Sequence, residues 1–345
     1  MKKRKIAILM LLCMVGTCLF TACEEIPYTV TDRDYYETHT GTEDENTMFP
    51  KWESDNPKEE KTTEADDLEN MEPGEITNCD LRTGVETDAY GGATTEDKKV
   101  TIPANMTFHI LDMDGAYFQV DYDGAKVWLP SKNCLINVKQ YIPSIQVDLS
   151  LSQSPNFFNI GGNDIKGLTE KQLYTREGSI DGSEAWLRYE VAVKLLKAQE
   201  LFLKDGYCIK IADAYRPSSV TGTIRDGLNE FLKTEEGQKL KQEYFGSYSV
   251  GAFLAQNASA HNYGVAIDMT LVDIDSEKEL SMPSAMHTLD ASSAYGTWST
   301  SSKDYTSHGE YMRGKMVECG FSTLDSEWWH FQVNSVERVI FDIPN

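Results

Sequence analysis

Two short stretches carry side chains that could do chemistry together. Ser259-Ala260-His261-Asn262-Tyr263-Gly264-Val265-Ala266-Ile267-Asp268 is one, and Glu327-Trp328-Trp329-His330-Phe331, beginning fifty-nine residues after Asp268, is the other. Between them they offer two imidazoles, a carboxylate at Asp268 and a further carboxylate at Glu327. This is the inventory of a catalytic zinc site, where His, Asp or Glu supply three ligands and the fourth position is left to water. Zinc lowers the pKa of that water to about 7, so a nearby carboxylate can take its proton at neutral pH. Glu327 lies three residues before His330, close enough to sit beside such an ion without ligating it. The pattern points to metal-dependent hydrolysis.

The elements that must position these residues read as α+β. From Tyr141 onward, Ser183 to Lys204 carries Trp186, Tyr189, Val193, Leu196 and Leu203 near helical spacing, and Asp205-Gly206 ends the run. Tyr207 to Ala212 is a strand leading into Asp213-Ala214-Tyr215-Arg216-Pro217. Ser218 to Phe245 is helical, Gly264 to Val272 a strand, His308 to Cys319 a helix closed by Gly320, and Trp329 to Val333 a last strand. Alternation along the Gly264 strand puts Val265 and Ile267 on one face and Asp268 on the other. Roughly two hundred residues can bury one core.

Glu75 to Val138 shows short alternating runs instead: Val100–Ile102, Thr107–Leu111, Tyr117–Tyr122 and Lys126–Pro130, with Asp123-Gly124 as a hairpin signal. This unit reads as a small β-barrel. The run "VDYDGAKVWLP" resembles the last strands of bacterial SH3-like domains, which often accompany cell-wall enzymes.

Ahead of both units, Met1-Lys2-Lys3-Arg4-Lys5 precedes an apolar run from Ile6 to Phe20, which is short for a membrane span and fits a signal segment. Leu19-Phe20-Thr21-Ala22-Cys23 resembles the bacterial lipobox, with Phe20 where Leu is usual, so Cys23 is the expected lipidation site. Plain cleavage after Ala22 or an uncleaved anchor would equally leave the rest outside the cytoplasm. Glu24 to Gly74 holds seventeen Asp or Glu against four Lys or Arg, a surplus of 13 within the net charge of −23. With few aliphatics it cannot bury enough surface to fold, and it reads as a solvated acidic tether. The acidity also excludes nucleic-acid binding, because no basic stripe exists to neutralise phosphates. The expected organisation is therefore signal 1–22, tether 23–74, SH3-like barrel 75–140 and catalytic domain 141–345. Of seven cysteines, Cys79, Cys134, Cys208 and Cys319 remain after Cys13 and Cys18 leave with the signal and Cys23 takes lipid. A Cys79–Cys134 bridge is expected across the small domain, and no CxxC motif is present.

The segments "SAHNYGVAID", "DAYRP" and "GFSTLDSEWWHF" together resemble the zinc D,D-peptidases, specifically the VanX-type D-alanyl-D-alanine dipeptidases that are related to the VanY-type D,D-carboxypeptidases. The resemblance covers residues 141 to 345. It implies a Hedgehog-like domain with a central antiparallel sheet flanked by helices, and one Zn2+ per catalytic domain. Carried over by motif, His261, Asp268 and His330 match the zinc ligands and Glu327 the general base. Arg216 matches the Arg that stabilises the oxyanion, and Ser259 a serine placed to bind substrate. The family's "M-P/G-T-x-F-D" run, whose Asp is associated with the substrate's ammonium, matches Met282 to His287. His287 stands where that carboxylate would be, which puts specificity for the free dipeptide in doubt.

Three functions follow from these readings. The first is a D-Ala-D-Ala dipeptidase and the second a D,D-carboxypeptidase acting on peptidoglycan stem peptides. The third, a non-enzymatic wall-binding protein, would predict a lost ligand or base. The expected partners are the dipeptide or stem peptide, wall polymer through the SH3-like unit, and the membrane through the lipid at Cys23.

Overall fold

The computed structural model describes residues 75–149, 158–165, 184–255, 257–341 and 343; the signal segment, the acidic stretch and Cys23 lie outside them. The first eight strands are β1 (Asp80–Thr83), β2 (Thr87–Tyr90), β3 (Lys98–Ile102), β4 (Thr107–His109), β5 (Asp112–Asp114), β6 (Tyr117–Tyr122), β7 (Ala125–Pro130) and β8 (Cys134–Asn137). Then come β9 (Gln146–Val147), β10 (Asn159–Ile160), β11 (Asn163–Asp164), β12 (Trp186–Leu187), β13 (Tyr207–Asp213), β14 (Ala266–Asp273), β15 (Ser322–Leu324) and β16 (Glu327–Gln332). The longer helices are α1 (Tyr189–Lys204), α2 (Ser218–Phe231), α3 (Glu235–Tyr244) and α4 (Asp304–Glu318).

The N-terminal strands form two antiparallel sheets, β3-β2-β7-β6-β5 and β12-β8-β1-β4. Tyr122 pairs with Ala125 across Asp123-Gly124, whose φ angles of +52° and +81° suit a type I′ hairpin turn. The second half is built on the sheet β15-β16-β14-β13-β9, antiparallel except for the β13–β9 pair. All but the last residue of β14 is buried, so this strand is covered on both faces.

One core runs through both halves, joining Leu81, Phe118 and Ile136 to Leu187, Leu195, Ile209 and Ile267. A second lies among α2, α3 and β10, with Val220, Ile224, Phe231, Leu240 and Ile160. The segment from Ala214 to Val220 passes between these cores and carries Arg216.

Several readings of the elements and cross-links differ from the structure. Trp186, expected on a helix, lies in β12, where it pairs with Asn137, and Ala185 O accepts from Val138 N–H at 2.8 Å. Apolar spacing sees only local periodicity, and this strand exists because of a partner some fifty residues upstream. The helix expected over Ser218–Phe245 is two helices. Thr234 Oγ1 accepts from Gly237 N–H at 3.0 Å and caps α3, which breaks the run. The helix expected from His308 begins earlier, at Asp304, and ends before Gly320 in the left-handed region at φ +85°.

The Cys79–Cys134 bridge is absent, and both residues are buried free thiols. Register explains why. Cys134 lies opposite Thr83, four residues along from Cys79, a separation of about 13 Å at strand rise. A disulfide needs Cα atoms about 4.4–6.8 Å apart. Each thiol instead lies near a backbone oxygen, Glu75 O at 3.5 Å for Cys79 and Pro130 O at 3.6 Å for Cys134.

Candidate metal centre

The site is laid out by strand register. Asp213 on β13 is opposite Asp268 on β14, and Asp268 is opposite His330 on β16, so three functional side chains cross the sheet in one row. A regular ladder would put Ala212 opposite Asp268. A one-residue bulge after Ile211 brings Asp213 there and turns its carboxylate toward the same row.

His261 arrives on the turn Ala260–Tyr263, just before β14. Ser259 Oγ accepts from His261 N–H at 3.4 Å, and Asn262 Oδ1 accepts from Ser259 N–H at 2.8 Å, a reciprocal cap. Gly264 closes the turn at φ +62°, and a Cβ there would lie 2.3 Å from Leu135 Cδ2. Glycine meets both demands without strain.

Three acceptor atoms converge. His261 Nε2 is 3.2 Å from His330 Nδ1, His330 Nδ1 is 3.0 Å from Asp268 Oδ1, and His261 Nε2 is 3.3 Å from Asp268 Oδ1. Ligands at zinc's ordinary 2.0–2.1 Å in a tetrahedron are spaced by about 3.3–3.4 Å. The triangle therefore fits zinc with little adjustment, and all three residues are buried. The far atom of each of the three side chains is also engaged. His261 Nδ1–H donates to Ala214 O at 2.7 Å, and His330 Nε2–H donates to Gln332 Oε1 at 3.1 Å. These bonds leave the lone pairs of His261 Nε2 and His330 Nδ1 facing the centre of the triangle. Asp268 Oδ2 accepts from His287 Nε2–H at 3.1 Å. Burial alone would raise the Asp268 carboxyl. The imidazoles around it, His261 foremost and then His287 and His330, outweigh burial and hold the group well below the usual carboxylate range.

Glu327 Oε2 is 3.9 Å from His330 Nδ1. Burial pushes its carboxyl up to about 8, with Asp268 adding to the rise and His330 and Arg216 opposing it. Arg216 is 5% exposed, and its Nε lies 3.1 Å from Asp213 Oδ2. Its backbone is stitched to the His261 turn, since Arg216 N–H donates to His261 O and Asn262 Nδ2 donates to Arg216 O at 2.7 Å.

His261, Asp268, His330 and Glu327 thus come together, with Arg216 on the adjoining loop. Ser259 is half-buried, with its hydroxyl capping the His261 turn. His287, read from the sequence as facing substrate, is 1% exposed and turned to Asp268. Sequence reasoning passed over Gln332, Asp213 and Asn262. Period-two spacing from His330 could have found Gln332, which shares its strand face. Asp213 and Asn262 stand inside the motifs already noted.

The profile of the D-Ala-D-Ala dipeptidase family matches residues 166–343, a little over half of the chain. A D-alanyl-D-alanine dipeptidase from Enterococcus faecium is 27% identical over 45% of this chain and 78% of its own. Another from Enterococcus faecalis is 25% identical over 41% of this chain and 70% of its own. Among solved structures, VanYB in complex with D-Alanine-D-Alanine aligns over 46% of this chain and 75% of that one at 15% identity, with a TM-score of 0.29. So loose a superposition transfers no geometry. The matched span contains the whole triangle, Glu327 and the Arg216 loop, and the chain belongs to the D-Ala-D-Ala dipeptidase family of metallopeptidases.

Proposed function

We propose that the protein is a zinc-dependent peptidase that hydrolyses the bond of D-alanyl-D-alanine, with the free dipeptide as its substrate. The observation that carries this reading is the convergence of His261 Nε2, His330 Nδ1 and Asp268 Oδ1 beside the buried Glu327. Zinc, when bound, supplies a Lewis acid and a water of lowered pKa. Glu327 would accept, at its carboxylate, the proton of the water whose oxygen joins the carbonyl carbon, and would return it to the amine nitrogen as the peptide C–N bond breaks. Arg216, aimed by Asp213 and by the rigid Pro217, stabilises the charge that develops on the carbonyl oxygen. Ser259 orients the His261 turn.

A second reading, a D,D-carboxypeptidase acting on peptidoglycan stem peptides, is favoured by His287. An imidazole engaged with Asp268 offers no carboxylate to a dipeptide's ammonium. The deciding measurement is D-alanine release by the zinc-loaded protein from free D-Ala-D-Ala and from a stem pentapeptide ending in D-Ala-D-Ala. Faster release from the dipeptide supports the first reading and faster release from the pentapeptide the second. No release from either sinks both.

We further propose that the two N-terminal sheets form an SH3-like module directed at wall polymer. Its support is the pair of small antiparallel sheets and the half-exposed Tyr90–Trp128 cross-strand pair. A lipid on Cys23 would hold the enzyme at the outer face of the membrane. Cys23→Ala should then move the protein from the membrane to the soluble fraction on ultracentrifugation, and retention in the membrane fraction would argue for an uncleaved anchor.

A further inference from the structure

We infer that His287 is a positioning residue of the metal centre: it holds Asp268 Oδ2 and so confines Asp268 to ligation through Oδ1 alone. The inference rests on the reading that the triangle binds zinc.

Three observations support it. The first is the division of labour within one carboxylate. Asp268 Oδ1 faces His261 Nε2 at 3.3 Å and His330 Nδ1 at 3.0 Å, whereas Oδ2 faces only His287 Nε2 among the contacts of this group, at 3.1 Å. A carboxylate accepts and cannot donate when ionised, so His287 Nε2 carries the hydrogen.

The second is how firmly the imidazole is aimed. It is 1% exposed, with ring centroids 5.4 Å from Phe158 and 5.5 Å from Trp329. Trp329 precedes the ligand His330 on β16, and Phe158 precedes β10. The loop carrying His287 is tied to β10 through Asn159 N–H to His287 O at 3.3 Å and Leu289 N–H to Asn159 O at 2.8 Å. Thr288 Oγ1 and Asp290 Oδ2 add bonds to Asn159 Oδ1 and Gly161 N–H.

The third is backbone conformation. His287 has φ +60°, in the left-handed region that non-glycine residues seldom occupy. Such a conformation persists where the surroundings over-determine it, and here they deliver one side chain to one ligand oxygen.

The chemical consequence concerns which ion the site prefers. Calcium takes six to eight oxygen ligands and often uses both oxygens of a carboxylate, while catalytic zinc takes three protein donors. With Oδ2 occupied by an N–H, Asp268 offers one oxygen, and the site is biased toward the smaller, four-coordinate ion. His287 therefore serves the metal from behind its ligand and does not touch substrate.

The test compares zinc dissociation constants, by chelator competition, for the full-length wild type and the variants His287→Phe and His287→Gln, each checked for folding by its thermal transition. His287→Phe keeps the ring and removes the donor, and should weaken zinc about 10- to 100-fold, the usual effect of losing an outer partner of a metal ligand. His287→Gln, whose amide nitrogen reaches nearly the same place as Nε2, should recover most of that loss. If the Phe ring is not accepted, His287→Asn, which ends too short to reach Oδ2, should show the same weakening. Zinc binding by a folded Phe or Asn variant equal to that of wild type overturns the role of His287 alone. Equal weakening in the Phe and Gln variants also overturns it, because loss of packing would then explain both. Failure of the wild type itself to bind zinc overturns this inference together with the zinc reading beneath it.

Discussion

Glu327→Gln should leave zinc content unchanged and cut kcat by about ten-thousandfold, the upper end of what general acid–base catalysis contributes. Glutamine keeps the shape of the side chain and cannot accept a proton. The three convergent atoms belong to other residues, so metal analysis of the variant should match wild type. Retained turnover would remove Glu327 from its role. The same carboxyl sets the acid limb of the pH profile. Burial raises it to about 8, and the base must be ionised to act, so kcat/KM should fall as pH drops through its pKa. The charge of a bound zinc favours the ionised form, which places this limb at or below pH 8. An acid limb unchanged in the residual activity of Glu327→Gln would contradict the assignment.

Removal of residues 75–140 should prevent residues 141–345 from folding, although sequence reading divides the chain there. Trp186 and Leu187 of β12 pair with Asn137 and Ile136 of β8, and Leu135, Trp186, Tyr215, Phe341 and Ile343 share one apolar cluster. Tyr189, the first residue of α1, packs edge-on against Phe118 with centroids 5.7 Å apart. The cluster reaches the catalytic loops directly. Leu135 lies beneath Gly264, Phe341 N–H donates to Asn262 O at 3.2 Å, and Tyr215 OH donates to Phe341 O at 3.2 Å. Baring Trp186, Leu187 and Phe341 costs about 1.5–3 kcal/mol each. Together these losses approach the 5–15 kcal/mol that holds an ordinary domain folded. Near-ultraviolet circular dichroism and a melting curve of the 141–345 fragment would check this. A cooperative transition with intact zinc binding would show that the N-terminal sheets are dispensable.

Much of the site was legible because its information is local. "SAHNYGVAID" carries an imidazole of the buried triangle, the cap that turns its backbone, the glycine the turn requires and a carboxylate at the next strand. Each depends on neighbours a few residues away. The Asp123-Gly124 hairpin was legible for the same reason, since both turn residues must accept positive φ.

His287 shows the other case. From its place in a loop it reads as a substrate-facing departure from the family's carboxylate. Its partner Asp268 and its ring neighbours Phe158 and Trp329 come from three separate parts of the chain. No spacing rule brings them together. The absent Cys79–Cys134 bridge has the same origin, because sequence shows that both cysteines bound one unit but not that register holds them four residues apart.

The sequence by itself determined the donor types, their order and the family, since these reside in residue identity and short spacing. Only the tertiary structure decided which faces those donors present. In a regular strand Glu327 and His330, three residues apart, would point to opposite faces. The β15–β16 ladder slips by three between Thr323 and Leu324, so Glu327 takes the place opposite Leu324 that His330 would have held. An odd slip reverses a residue's face, which brings Glu327 Oε2 within 3.9 Å of His330 Nδ1. The one-residue bulge before Asp213 does the same for the group that holds Arg216. Face and register are settled by pairing with distant strands, and that pairing is written nowhere in the local pattern.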